Sequence, residues 1–213
     1  MLALSEYLMR EPLPLATVQE AILDFCRGRS DLCVFGAQAL SRHTGVPRMT
    51  QDVDIMAVSP EAAADELASV LGRRFPHRMA ARVRAVKRDG SVLGYRVFQQ
   101  RSEELGGNRH PADIRRLDVP REGLETEDGI QYTGAPLTLA MKSLAATVRN
   151  NPIKRDQDRV DTMRLIVAMP DVSASDLEPL WSALHAPADV RTTFEQLRAA
   201  AAHGAQTDED DFY

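Results

Sequence analysis

The stretch Asp52-Val53-Asp54-Ile55-Met56-Ala57-Val58 constrains the fold more than any other part of the chain. Polar and apolar residues alternate at its start and the remainder is wholly apolar, as in a strand that begins at solvent and ends in a core. Residues two apart in a strand leave the same face, so Asp52 and Asp54 are forced together while Val53 and Ile55 face the opposite layer. Two like charges so placed repel, and they destabilise the fold unless a cation neutralises them or the strand end lies in water. Hard divalent cations take oxygen ligands, so Mg²⁺ or Mn²⁺ resolves the conflict, and a metal pair can activate an attacking oxygen and stabilise a leaving phosphate. By itself an Asp-x-Asp pair more often marks a solvated strand end than a metal site. A third carboxylate from a neighbouring strand completes such a site. Asp118, in Leu117-Asp118-Val119, is the first choice because apolar residues flank it as they flank Asp54, and Asp113, in Ala112-Asp113-Ile114, is the alternative.

Around this strand the chain reads as a mixed sheet with flanking helices. Val18, Ala21, Ile22 and Phe25 form a helical stripe that ends at Arg27-Gly28-Arg29, and Leu32-Cys33-Val34-Phe35 is a buried strand stopping at Gly36. Residues 37–43 read as a short helix closed by Thr44-Gly45-Val46-Pro47. Ser59-Pro60 opens a further helix with Ala63, Leu67, Val70, Leu71 and Phe75 along one face. Residues 81–88 and 92–99 flank Asp89-Gly90-Ser91 as a hairpin, and after a polar stretch from Ser102 to His110 a strand is expected from Ile114 to Val119, closed by Pro120. Beyond Gly134 helices are expected over 136–149, 155–168, 174–185 and 188–202, before an acidic, frayed tail. The expected division is therefore a core over 1–134, a helical C-terminal lobe over 135–205 and a tail over 206–213.

At 213 residues, 44% hydrophobic and 27% charged, the chain has the composition of a folded globular protein and the length for one domain with a modest second lobe. No run approaches the roughly 18 apolar residues that cross a bilayer. The opening MLALSEYLMREP meets charges too early for a signal-peptide core, so no membrane partner and a cytoplasmic location are expected. Its two cysteines, Cys26 and Cys33, read as buried small hydrophobes without a disulfide. A net charge of −5 excludes whole-molecule attraction to polyanions, so nucleic acid would have to meet a local basic surface. Arg73, Arg74, Arg78, Arg82, Arg84, Lys87 and Arg88, followed by Arg109, Arg115, Arg116 and Arg121, form either a solvated sheet face or a groove for a phosphate-bearing partner.

Gly36 falls where a strand meets a helix, a place at which free backbone N–H groups and the helix dipole seat phosphate, although an ordinary tight turn would also use glycine. Arg48 and Thr50, just before the aspartates, are suited respectively to contacting phosphate and fixing the loop, and each is equally suited to satisfying a local turn. Here the chain resembles a known group. Val34-Phe35-Gly36-Ala37-Gln38-Ala39-Leu40, followed by Gly45-Val46-Pro47-Arg48-Met49-Thr50-Gln51-Asp52-Val53-Asp54-Ile55, resembles the signature of the nucleotidyltransferase superfamily, with its polymerase-beta-like minimal fold. The Arg-x-Thr-x-Asp-x-Asp form is similar to the AbiEii-like abortive-infection toxins of type IV toxin–antitoxin systems. Lys142 in the helix from Leu137 to Val148, and Asp158-Arg159-Val160-Asp161, resemble that group's downstream lysine and Asp-x-x-Asp helix, so the likeness covers residues 30–168.

The resemblance implies an α/β, or α+β, nucleotidyltransferase-like mixed sheet with a helical lobe closing a cleft. It implies Mg²⁺ on Asp52, Asp54 and a third Asp, a triphosphate seated at Gly36 and Ala37, and a phosphate contact from Lys142. Ala37 stands where many members carry Ser or Gly, so a hydroxyl contact is missing. The implied activity is transfer of a nucleoside monophosphate from a nucleoside triphosphate to an acceptor hydroxyl, with tRNA or another RNA among the acceptors and an antitoxin protein as partner. The competing expectation is a catalytically inactive member that binds a nucleotide or a protein. His43, His77, His110, His185 and His203 lack ligand-like spacing and read as surface or capping residues. Met141, Met163 and Met169 read as core, and Trp181 as the anchor of the last helices.

Overall fold

The computed structural model describes residues 13–48, 50–101, 103 and 107–210, with side chains up to residue 203. The opening segment considered as a signal sequence therefore lies outside the described residues. A seven-stranded mixed sheet in the order β3-β4-β5-β2-β1-β7-β6 is combined with seven α-helices among the described residues. In chain order these are α1 (Leu15–Cys26), β1 (Leu32–Phe35), α2 (Ala37–Thr44), β2 (Val53–Ala57), α3 (Pro60–Arg74), β3 (Ala80–Arg88), β4 (Ser91–Gln100) and β5 (Arg109–Arg116). They continue with β6 (Leu124–Glu127), β7 (Ile130–Thr133), α4 (Ala135–Val148), α5 (Pro152–Ala168), α6 (Ala174–Ala183) and α7 (Asp189–Asp210). The expected α/β class is observed. None of the helices is long and apolar enough to cross a membrane.

The chain divides into two compact units. One comprises residues up to Gln38, Arg48–Asp118 and Glu125–Tyr132. The other comprises Ala39–Pro47, Val119–Leu124 and the residues from Thr133 onward. In the first, β1 and β2 are antiparallel, β2 and β5 parallel, and β4 antiparallel to both β3 and β5. Val53 and Ile55 of β2, Val97 of β4, and Ala112 and Ile114 of β5 share one fully buried face, together with Val18 and Ile22 of α1 and Leu67 and Leu71 of α3 in the same core. Burial pushes the Cys26 thiol up to about 12, and Cys33 is equally buried.

Two elements differ from those expected. The fifth strand runs from Arg109 to Arg116 rather than Ile114 to Val119, and it passes through Pro111. Proline is tolerated there because the β4–β5 register shifts between Val97 and Gln99, so no ladder bond is owed by its missing N–H. The strands β6 and β7 were not anticipated, although Asp128-Gly129 between them adopts the left-handed conformation (φ 51° and 76°) that Asp-Gly turns supply. Asp89-Gly90, with φ 50° and 80°, closes the hairpin that was anticipated.

The second unit packs around Leu40, Leu139, Leu165, Leu177, Trp181 and Phe194. Trp181 stands edge-on to Phe194, with centroids 5.6 Å apart, and its indole N–H donates to Ser143 Oγ at 3.0 Å. Met163 and Met169 are half-buried against this cluster. Asn151 caps α5 by accepting from Lys154 N (3.1 Å), with Pro152 at the first helical position, so the helix begins three residues earlier than 155. The last helix extends beyond the expected end at 202 to Asp210, and the final residues lie outside the described ones.

Candidate active site

The carboxylates converge where β1, β2 and β5 lie side by side in the first unit. Phe35 and Asp54 are directly paired across the antiparallel β1–β2 ladder, and Asp54 is paired with Asp113 across the parallel β2–β5 ladder. Residues in register share a face, so Asp54 and Asp113 project together beside the end of β1. Gly36, the next residue after β1, has φ +69°, and the chain enters α2 at Ala37. The Asp54 carboxylate fills the space above Gly36: a Cβ placed there would collide with Oδ2 and lie 3.1 Å from the carboxyl carbon. Glycine is thus required twice, by the left-handed backbone and by the carboxylate.

Asp52 is held in the loop just before β2. Thr50 Oγ1 lies 3.0 Å from both Asp52 Oδ1 and the Asp52 carbonyl, and Gln19 on α1 donates to the Thr50 carbonyl at 2.9 Å. Thr50 therefore fixes this loop, while Arg48 sits half-buried before it. His110 Nε2 stands 3.8 Å from Asp52 Oδ2, its ring 6.0 Å from that of Phe98. Arg96 on β4 grips Asp113 with both arms, Nε to Oδ1 at 2.6 Å and Nη2 to Oδ2 at 2.9 Å. That bidentate bond raises the guanidinium's pKa above its usual value, and the nearby charges of Asp52 and Asp54 add to the effect. The acidic cluster thus carries its own organic cation. Among the described residues, no three His, Cys, Asp or Glu side chains are grouped so as to hold a metal ion.

Asp118 is not part of this cluster. Leu117 N donates to the Ala57 carbonyl at 2.8 Å, so Asp118 follows the far end of β2, roughly 16 Å along the chain direction from Asp113 at about 3.3 Å per residue. Of the two candidates, Asp113 and not Asp118 stands in register beside Asp54, because register, not flanking apolarity, decides it.

Lys142 belongs to the second unit. Its ammonium donates to Asp158 Oδ1 at 2.9 Å and Asp161 Oδ2 at 2.7 Å, both carboxylates being almost wholly buried. Arg149 Nη1 lies 2.9 Å from Asp158 Oδ2 as an ion pair without hydrogen-bond alignment, and Gln157 donates to Asp161 Oδ1 at 3.3 Å. Asp158 and Asp161, three apart on α5, share one helical face, which explains how a single lysine on α4 meets both.

The chain is similar to a Megavirus polyadenylate synthase (TM-score 0.58, 17% identity), covering 79% of this chain and 34% of that one. It is similar over nearly its full length to two Helicobacter pylori proteins. One is JHP933 (TM-score 0.52, 13% identity, 99% of each chain), and the other is assigned as a nucleotidyltransferase (TM-score 0.53, 16% identity, 93% of this chain and 96% of that one). The fold is that of the nucleotidyltransferases. The chain spans about a third of the polyadenylate synthase's length. No protein-family model matches it, and no curated protein is similar to it in sequence.

Within the nucleotidyltransferase fold, sequence reasoning missed Arg96 and His110. Arg96 could have been noticed because Leu93, Tyr95 and Val97 alternate with it, which sends it to the opposite face of β4. For His110 no local signal existed, since its closeness to Asp52 arises from strand pairing.

Proposed function

We propose that this chain is a metal-dependent nucleotidyltransferase that moves a nucleoside monophosphate from a nucleoside triphosphate to an acceptor hydroxyl. The observation that carries the reading is the pairing of Asp54 with Asp113 directly beside Gly36. Asp52 and Asp54 would be the carboxylates that hold Mg²⁺ or Mn²⁺; Asp113 is held by Arg96, and no third ligand is grouped with them among the described residues. Bound there, the ion would supply neutralisation of phosphate charge and activation of the attacking oxygen.

The chain's own groups supply the remaining chemistry. The strand-to-helix turn at Gly36 is the anion seat in this reading, and it needs no hydroxyl at position 37. The acceptor oxygen would bond the α-phosphorus, the bond to the β-phosphate oxygen would break, and pyrophosphate would leave. In this reading Asp113, in register with Asp54, would take the acceptor's proton, the role expected of Asp118 from the sequence.

For the acceptor, support comes from the face that carries the site. Arg82 and Arg84 are exposed on β3, Arg84 lies 5.4 Å above the Phe98 ring, and neither arginine pairs with a carboxylate among the described residues. Cations interleaved with an aromatic ring suit single-stranded nucleic acid, so an RNA end, including that of tRNA, is the acceptor we favour. The toxin role and an antitoxin partner rest on the sequence resemblance to the AbiEii-like group. A second reading, an inactive nucleotide-binding or protein-interaction module, is favoured by Arg96 occupying Asp113.

A melting scan with Mn²⁺ and each triphosphate separates the two. A working site gains stability from ligands selective for the native state, about 2.7 kcal/mol at a hundredfold excess over Kd. The expected result is a rise in melting temperature in the wild type that is absent in Asp54→Asn. An equal rise in both, or none in either, would support the inactive module.

A further inference from the structure

Helix α5 turns charge inward and apolar side chains outward. Its inner face carries Asp158, Asp161 and Thr162 beside Leu165 and Ile166. Ile153, Val160 and Val167 remain exposed, at 81%, 39% and 62%. Single apolar residues at a surface are ordinary, but these three fall at i, i+7 and i+14 and so form one stripe along the side of α5 away from the core. Heptad spacing is that of the seam along which a second helix packs. All three residues are β-branched, so their rotamers are already restricted in the helix and little side-chain entropy is lost when the stripe is covered. The charges beside the stripe say which helix fits. At about 100° per residue, Asp156 and Arg164 lie about 40° to either side of Val160, one a turn before it and the other a turn after it. Both are exposed; Asp156 has a 3.8 Å contact with Arg159, and Arg164 pairs with no carboxylate among the described residues. In an antiparallel pair of α5 helices centred on Val160, positions equally far before and after it come level. Ile153 then meets Val167, Val160 meets its own copy, and Asp156 meets Arg164. A parallel pair would bring Asp156 level with Asp156 and Arg164 level with Arg164.

We propose that the outer stripe of α5 is a homodimer contact: two copies of the chain pack antiparallel along it, with the two-fold axis at Val160. Such a contact is isologous, so the Asp156–Arg164 pair and the Ile153–Val167 contact each occur twice. The 17 residues of α5 make a helix about 25 Å long, and a seam of that length is a small interface. Monomer and dimer therefore exchange at roughly micromolar concentrations. Nothing in this contact depends on nucleotide transfer.

Sedimentation velocity of the full chain, from about 1 µM to about 100 µM, tests the contact. The wild type should pass from one chain per particle to two over that range. Val160→Glu sets two carboxylates face to face on the axis and should stay monomeric throughout. Arg164→Glu alone sets acid against acid at both ends of the seam, and Asp156→Arg alone sets base against base. Each should weaken the dimer about tenfold or more. Mixed together, these two variants are complementary at both ends, because one chain then carries two bases and the other two acids. They should form a one-to-one heterodimer about as tight as the wild-type dimer. Recovery on mixing cannot come from misfolded chains, and all three substitutions change exposed side chains only. A wild type that is monomeric at every concentration, which would give the stripe to a partner of another kind, overturns the proposal. So does a dimer that persists in Val160→Glu, or a pair of reversed-charge variants that associate no better mixed than apart.

Discussion

Replacing Gly36 by alanine should abolish nucleotide transfer while leaving the chain folded. The left-handed backbone at Gly36 (φ +69°) costs an L-residue roughly 1–2 kcal/mol, which a folded domain survives. The larger consequence is local. The new methyl would collide with Asp54 Oδ2, and since Asp54 lies between Phe35 and Asp113 in the ladder, only its side chain can yield. Turning that carboxylate away removes the central member of the cluster. Transfer should therefore fall to the level of Asp54→Asn, and the gain in melting temperature from Mn²⁺ and triphosphate should vanish with it. Gly28→Ala serves as the control: its φ is +73°, but nothing lies within 4 Å of the added Cβ, so it shares the strain without the collision. If Gly36→Ala and Gly28→Ala behave alike in transfer, the close packing of Asp54 on Gly36 is not what the site depends on.

Lys142→Met should be the most destabilising single change in the second unit. It removes the ammonium that bonds Asp158 and Asp161, both almost wholly buried, and leaves Asp158 its contact with Arg149. Removing one partner of a buried ion pair costs about 3–5 kcal/mol, because the remaining carboxylate charge is shielded from water. The triple variant Lys142→Met, Asp158→Asn, Asp161→Asn should recover much of that loss, since no buried charge is then left unmatched. Chemical denaturation of the wild type, the single variant and the triple variant checks both statements. A single variant within about 1 kcal/mol of wild type would mean that Lys142 is not structural and is free for the phosphate contact its motif implies.

The sequence made β2 legible because its alternation is local, but Asp52 lies in the loop just before the strand, where Thr50 rather than strand alternation places it. Gly36 was legible for the same reason, as the residue that ends an apolar strand. Which of Asp113 and Asp118 stands beside Asp54 was not, because both have apolar neighbours. What separates them is where β5 begins, and that is set by the register shift opposite Val97 and Gln99 and by Pro111 lying within it. Arg96 and His110 were missed on similar grounds, since their partners are 17 and 58 positions away in sequence, across strand pairings that composition does not reveal. The Lys142 motif was found on helices as expected. Its engagement with Asp158 and Asp161 depends on how α4 and α5 pack, which spacing within either helix cannot state. The strands β6 and β7 are a different case, for the Asp128-Gly129 turn was present in the sequence and went unread.

The central claim is that Asp52, Asp54 and Asp113 form a site for nucleotide transfer. The most direct measurement is incorporation of label from each α-labelled nucleoside triphosphate into total RNA, with Mg²⁺ or Mn²⁺, by the wild type, Asp54→Asn, Asp113→Asn and Asp118→Asn. The account predicts labelled RNA with the wild type and Asp118→Asn, and background with Asp54→Asn and Asp113→Asn. Label transferred equally by all four proteins, or lost in Asp118→Asn and retained in Asp113→Asn, would contradict it.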